Sequence, residues 1–328
     1  MANFYKNKKI LITGGTGLIG IQLTKELYKL GAKISVVSLE KNLELPKKVN
    51  FHKTDLRKLE NCLKVTKNID FVFHLAGIKG SPKMTKTKPY SFMTPMMMFN
   101  INMLEASRIN NVKRFLYTSS IGVYSPKDIM REKDVWKTFP SNNDWYSGWA
   151  KRIGELQVDA YRKEYKNQMK TIIVRPANVY GPHDNFDVNT AMVIPSLINK
   201  FVNSKNRKVS VWGNGSAIRD FIFSRDVALA MVNLMKKVPN EPVNIGSGKG
   251  YSIKKLVEYI NMYFKNSYKI IWDKSKPTGD KIRILDTKIL KKMGFNQSTN
   301  LKDGVYETID WYKKNKEKQR RFNIFKNE

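Results

Sequence analysis

Along the first half of the chain, compact apolar runs alternate with stretches whose apolar positions recur at helical spacing. The runs are "KKILITGG", "AKISVVS", "IDFVFHLAG" and "KRFLYTSS", and the helical stretches fall at about Leu18 to Leu30 and around Met96 to Asn110. Short apolar runs closed by Gly or Ser predict buried strands, and crossover helices between them predict parallel pairing. The class is therefore α/β, a doubly wound parallel sheet with helices on both faces. A further helix over about 148 to 165 leads into "MKTIIVRPANVYGP", whose Pro and Gly residues end the strand and mark a change of architecture. Elements beyond it are shorter and mixed. This divides the chain into a first domain over 1–175 and a smaller, mixed α/β substrate domain over 176–328, with later strands free to rejoin the first sheet.

One loop sharpens the class. "ILITGGTGLIG" sets Gly14, Gly17 and Gly20 in G-x-x-G-x-x-G spacing, directly after a strand and at the opening of a helix. The glycines permit a tight turn, close approach of the backbone to a pyrophosphate and close packing of helix on strand, while the helix mouth at Leu18 and Ile19 favours the anion. This is a Rossmann-type arrangement, and it predicts a dinucleotide cofactor. The dinucleotide is chosen at the end of the second strand, where an acidic side chain accepts the ribose 2′-hydroxyl and repels a 2′-phosphate. Ser38 stands there, followed by Leu39, Glu40 and Lys41. A small hydroxyl with a nearby lysine favours NADP; NAD is the alternative, since Glu40 reaching back would reverse the preference.

Composition narrows the rest. A chain of 328 residues with 41% hydrophobic content can bury a substantial core. No segment approaches the roughly 18 consecutive apolar residues of a membrane span, and "MANFYKNKKILITGG" lacks a secretory leader's apolar stretch, so the expectation is a cytoplasmic protein. Cys62 has no partner for a disulfide, and His52, His74 and His183 are too scattered for a metal motif, so no metal is assigned. The formal net charge of +32 would attract any polyanion. Its basic residues are spread over the whole chain, which reads as a lysine-biased solvated surface and makes nucleic acid the rival partner rather than the first. The densest run, "KKNKEKQRR" from Lys313 to Arg321, reads as a basic tail after the last helix.

Separated motifs occur in a telling order: the glycine loop, "TDL" at 54 to 56, "HLAGIK" at 74 to 79, "YTSSIGVY" at 117 to 124 and "RPANVYGP" at 175 to 182. Together they resemble the extended short-chain dehydrogenase/reductase family of nucleotide-sugar epimerases, dehydratases and reductases, from about Lys8 to Tyr312. Within it, "NVYGPHDNFD", "VIPSL", "VWGNGSAIRDFIF" and "KPTGDKIRILDTKIL" look most like the GDP-L-fucose synthase group. The resemblance implies an enzyme acting at C4 of a nucleotide-linked hexose, with GDP as the nucleotide, NADP as cofactor and a homodimer as the assembly. It assigns Asp55 and Leu56 to the adenine end, Ala76, Gly77 and Lys79 to the dinucleotide wall, and Ser120 to the reacting sugar oxygen. Asn178 would face the substrate and Arg219 the diphosphate, with a surface ion pair to Asp220 or Asp226 as the bland reading. Trp212 would stack on the base or fill the core, and Arg283, with Lys281, would hold an anion. Dehydratases of the family carry an Asp-Glu pair where Ile121 and Gly122 stand, which argues against 4,6-dehydration. The Met-rich "FMTPMMMFNINMLEA" reads as helix core and dimer packing rather than a flexible groove.

Two departures weigh on the chemistry. In the family a Tyr four residues before a Lys shares its helical face and exchanges the proton at the sugar oxygen. Lys151 has Ser147 at that place, and Tyr146 comes one position early, about 140° away on a regular helix. A late helix start at Gly148 or a π-type bulge would bring Tyr146 into line. Otherwise Ser147 holds the acid position, proton transfer falls to Ser120, Tyr124 or water, and Tyr146 is a packing aromatic beside Trp145 and Trp149. In the second departure, Met192 replaces the histidine that serves 3,5-epimerisation in the GDP-L-fucose synthases, and thioether sulfur carries no proton at neutral pH; His183 is the nearby substitute. The reading that results is a reductase or epimerase of nucleotide sugars. Its rivals are an NAD-dependent 4-epimerase with a retained cofactor and a decayed dehydrogenase fold that binds RNA or another polyanion.

Overall fold

The computed structural model describes residues 2–40, 44–78, 80, 82–166, 168–276 and 279–318. Its strands are β1 (Lys9–Thr13), β2 (Lys33–Ser38), β3 (Asn50–Lys53), β4 (Phe71–His74), β5 (Arg114–Thr118), β6 (Lys127–Met130), β7 (Lys170–Pro176), β8 (Asn178–Tyr180), β9 (Lys208–Trp212), β10 (Ile218–Phe223), β11 (Val243–Ile245), β12 (Gly250–Ser252), β13 (Lys269–Asp273) and β14 (Ile282–Leu285). The helices are α1 (Ala2–Tyr5), α2 (Leu18–Lys29), α3 (Leu59–Thr66), α4 (Pro82–Thr87), α5 (Pro89–Ile109), α6 (Trp145–Tyr165), α7 (Val193–Asn203), α8 (Ser224–Lys237), α9 (Ile253–Tyr263), α10 (Lys288–Lys292) and α11 (Leu301–Asn315).

Seven strands form one sheet in the order β11-β7-β5-β4-β1-β2-β3, and every neighbouring pair in it is parallel. This is the doubly wound α/β sheet that the apolar runs predict. Strand order reverses between β1 and β4, and ligands of such sheets settle at that switch point, beyond the carboxyl ends. Two apolar layers cover the faces. One packs Leu23, Leu27 and Met231 of α2 and α8 against Ile10, Ile12 and Ile172, and the other packs Met96, Met103 and Val158 of α5 and α6 against Leu11, Val72 and Phe115. Met96 and Met103 of the Met-rich segment are therefore core, while Met98 and Ile101 are exposed. The segment's helix starts at Pro89, earlier than the apolar pattern alone suggested, and carries Pro95 inside it.

A smaller mixed sheet joins β12, β10, β14 and β6, with β8 pairing β10, and a third apolar cluster of Tyr180, Phe201, Phe223, Leu256 and Ile309 supports it. The chain does not divide cleanly near residue 175. β11 returns to the large sheet, while β6 leaves the first half to pair with β14. This crossing holds the second sheet against the carboxyl edge of the first. The last helix runs to Asn315, so Lys313 and Lys314 lie in its final turn rather than in a tail. Among the described residues no helix is long and apolar enough to cross a membrane.

Candidate active site

The glycine loop turns at the end of β1. Gly14 has φ +65°, and a Cβ on it would stand 3.1 Å from the Ala76 backbone, so loop and wall meet at van der Waals contact. A Cβ on Gly20 would lie 2.5 Å from Gly15 Cα, which only glycine avoids. α2 then begins after Gly17 without any side-chain cap, leaving the N–H groups at Leu18, Ile19 and Gly20 without helical acceptors and open to an anion. Thr16 Oγ1 donates to Ser38 Oγ at 2.6 Å, which ties the loop to the end of β2. These features fit a dinucleotide pyrophosphate. Asp55, beyond β3, is gripped by Arg57 through contacts of 2.9 to 3.1 Å. Burial alone would raise its pKa, but the Arg57 bonds and charge win and hold it below the usual carboxylate range. Leu56 is buried, with its carbonyl accepting from Asn102 and Cys62. Lys41 and Lys79 lie outside the described residues.

Lys151 is the best-defined group of the site. Its ammonium donates to the Thr118 carbonyl at 2.8 Å and lies 3.8 Å from where a Cβ on Gly77 would stand, so it faces Gly77 beyond the end of β4. Burial pulls its pKa down to about 8 against the opposing charge of Glu155. Glu155 is itself clamped by Arg175 through bonds of 2.9 and 2.6 Å, both side chains being almost wholly buried. Beside the lysine, Thr118 Oγ1 and Ser119 Oγ are buried without hydrogen-bond partners among the described residues.

A buried polar chain runs from the glycine loop to this lysine, and sequence reading missed it. Leu75 N and Ala76 N each donate to Thr13 Oγ1 at 3.1 Å, and Thr13 donates to His74 Nδ1 at 2.8 Å. His74 Nε2 donates to Asn100 Oδ1 at 2.9 Å, Asn100 Nδ2 to the Tyr117 hydroxyl at 3.0 Å, and Tyr117 to the Lys151 carbonyl at 3.2 Å. Only a neutral His74 bearing its proton on Nε2 satisfies every partner. Burial, reinforced by the Lys151 charge, accordingly depresses its pKa to about 3 although Asn100 opposes. The sequence offered one signal, a histidine ending an apolar strand beside Leu75 and Ala76.

The out-of-step tyrosine is resolved by the helix. α6 is regular α-helix from Trp145 onward, and the Gly148 N–H already bonds to the Asp144 carbonyl at 2.6 Å. Neither a start delayed to Gly148 nor a π-bulge occurs, so both ways of bringing Tyr146 into line with Lys151 are corrected. The aromatic neighbours supply the reason: Trp145, Trp149 and Phe139 pack with ring centroids 6.0 Å apart and hold the first turn down. Tyr146 is exposed, and Ser147 stands on the lysine's face with its hydroxyl donating to the Asp144 carbonyl at 3.2 Å. Tyr124 is engaged elsewhere. Its buried hydroxyl donates to Asn244 Oδ1 at 2.6 Å and accepts from Arg175 at 3.1 Å. Ser120 follows β5 at the carboxyl edge, where its Oγ accepts the Gly122 N–H at 3.0 Å.

The second sheet brings further groups to the same edge. Arg219 and Arg283 are register partners on β10 and β14. Asp220 and Asp226 do not pair with Arg219, since Asp220 accepts from Ser247, Gly248 and Leu285 while Asp226 accepts from Ser298 and Thr299. Burial and the like charge of Arg283 both lower the Arg219 pKa, against weaker opposition from Asp280 and Asp144. Arg283 is instead occupied, at 2.7 Å from Asp144 and 3.5 Å from Asp280. Asn178 Nδ2 donates to the Asp220 carbonyl at 2.9 Å. Trp212 is 55% exposed, which rules out a core role, and Lys200 sits over its ring. His183 is buried between Glu44, at 3.1 Å, and the Trp311 ring. Among the described residues no cluster could hold a metal ion.

Known proteins match this arrangement over nearly its whole length. Probable GDP-L-fucose synthase 1 of Oryza sativa subsp. japonica is 29% identical over 318 residues, covering 94% of this chain and 93% of that protein. GDP-mannose 3,5-epimerase 1 of Oryza sativa subsp. indica is 32% identical over 322 residues, covering 95% and 83%. The crystal structure of UDP-glucose 4-epimerase from Thermotoga maritima, with UDP-glucose, superposes with a TM-score of 0.83 at 25% identity, covering 93% of this chain and 99% of that one. Residues 10–246 match the family model itself. A match over most of the chain makes it a member of the NAD dependent epimerase/dehydratase family of enzymes.

Proposed function

We propose that this protein reduces or epimerises a nucleotide-linked hexose at C4, with GDP as the nucleotide and NADP(H) as the cofactor. The observation that carries the reading is the Lys151 ammonium, buried between the Thr118 carbonyl and the Gly77 wall with Ser120 beyond the same strand. When bound, the dinucleotide supplies or accepts the hydride. Lys151 holds the ribose hydroxyls, and its charge lowers the cost of developing negative charge nearby. Ser120, whose Oγ already accepts from Gly122, directs its own proton to the sugar oxygen. Ser147 takes the place four residues before the lysine, and Tyr146 lines the rim. Arg219, free of Asp220 and Asp226, clamps the diphosphate, with Asn178 and exposed Trp212 at the sugar and base. Ser38 in place of an acid supports NADP.

The GDP assignment draws on the sequence relatives, whose names carry GDP-sugars. A cytoplasmic homodimer fits the same reading, since packed α5 and α6 leave Met98, Ile101 and Leu156 exposed. The test is NADPH oxidation with GDP-4-keto-6-deoxymannose and with UDP-linked 4-ketosugars. Turnover with the GDP sugar is expected. NADPH uptake without oxidation by any of them would sink the reduction reading, and failure of the NADP⁺-loaded protein to invert C4 of a GDP-hexose as well would sink the proposal.

A further inference from the structure

We propose that the carboxylate of Asp144 abstracts a proton from the sugar carbon adjacent to a C4 carbonyl and returns it, so that the site also exchanges the hydrogen at that centre with solvent. The proposal rests on the C4 reading for how the ketone lies in the site. Asp144 precedes the first residue of α6, and at i, i+3 and i+7 Asp144, Ser147 and Lys151 follow one face. Its Oδ2 is fixed by Arg283 at 2.7 Å, while Oδ1 accepts no hydrogen bond among the described residues. Its Cβ and Cγ lie 3.3 Å from the point where a Cβ on Gly122 would stand, and Ser120 Oγ lies 3.4 Å from that same point. Glycine there leaves no side chain between the carboxylate and the hydroxyl that holds the sugar oxygen. The side chain is 28% exposed, open enough to meet a ligand. Its neighbour Asp280 is engaged, accepting from Ser141 at 3.1 Å and Asn143 at 3.0 Å. Arg283 and Arg219 balance the two acids from the adjoining strands.

The chemistry closes on these groups. A carbonyl at C4 makes the neighbouring C–H acidic. That bond breaks, its proton goes to the Asp144 carboxylate, and the electron pair forms a C–C double bond as negative charge moves to the C4 oxygen. Ser120 donates to that oxygen, and Lys151 contributes its positive charge from the same helix face. Return of the proton restores the ketone and the carboxylate, and nothing is oxidised or reduced. Neither Met192 nor Ile121 could carry this proton.

The experiment uses the full chain with NADP⁺ and GDP-4-keto-6-deoxymannose in D₂O, with deuterium at the carbons beside C4 read by NMR. Oxidised cofactor cannot reduce the ketone, so wash-in is independent of hydride transfer. Wash-in well above a protein-free blank is expected, together with at least a tenfold drop in Asp144→Asn and retention in Asp144→Glu. NADP⁺ uptake by calorimetry checks the fold of each variant, and the double variant Asp144→Asn with Arg283→Met serves where an unpaired Arg283 prevents folding of the first. Wild-type protein at the blank rate, or a folded Asp144→Asn exchanging like wild type, would overturn the proposal. Wash-in without NADPH oxidation by any 4-ketosugar would uphold it and overturn the C4 reduction reading instead.

Discussion

His74 gives the sharpest quantitative test of the buried chain. In the unfolded protein it titrates near its ordinary value of 6.5, whereas in the fold burial depresses it to about 3. A depressed histidine contributes stability that is fully present above the unfolded pKa and is lost as pH falls from 6.5 toward 3. Between about pH 7 and pH 5 the unfolded chain takes up this proton and the folded chain does not, which costs about 2 kcal/mol from this one group. The figure is insensitive to how far below 5 the folded value lies, because folded His74 stays neutral throughout that window. Acidic groups also change over the range, so the readout is a difference. Urea unfolding of wild type and His74→Gln at both pH values should show wild type losing about 2 kcal/mol more than the variant. Parallel losses in the two proteins would refute the neutral, Nε2-protonated histidine and the chain built on it.

Other consequences follow from the same geometry. Arg175→Met strands Glu155 in the core and should cost about 3–5 kcal/mol in urea unfolding, much of it recovered when Glu155→Met is added; a loss below about 1 kcal/mol would show that the pair is dispensable. Because burial sets the Lys151 pKa to about 8, its charged form prevails below that value. NADPH affinity by calorimetry should therefore weaken as pH rises through it, with the slope absent in Lys151→Met. Ser120→Ala should lower kcat/KM with GDP-4-keto-6-deoxymannose by about 100-fold, and Tyr146→Phe by less than about threefold. A hundredfold loss in Tyr146→Phe would return that residue to the chemistry.

Local pattern was enough for a good part of this protein. Short apolar runs and helical spacing specify the parallel sheet because each strand must bury both faces, and Gly14 and Gly20 mark the glycine loop because only glycine tolerates the φ of the first and the close approach of the second. Ser120 and Lys151 are proposed from the family resemblance of "YTSSIGVY" and "AKRIGE", and the structure sets them at the end of β5 and on α6. Long-range contact decided the rest. Whether Tyr146 could swing into line depended on Trp145, Trp149 and Phe139 pinning the first turn of α6, a packing energy that no spacing rule contains. Asp144 and Arg283 are 139 positions apart, and only the pairing of β14 with β6 and β10 brings them together. The neutral state of His74 likewise arises from four segments converging where water is excluded. The sequence by itself determined the scaffold and its glycine loop, because those follow from local sterics and periodicity; the fold decided which charges meet and which groups are buried neutral, because electrostatics acts through space.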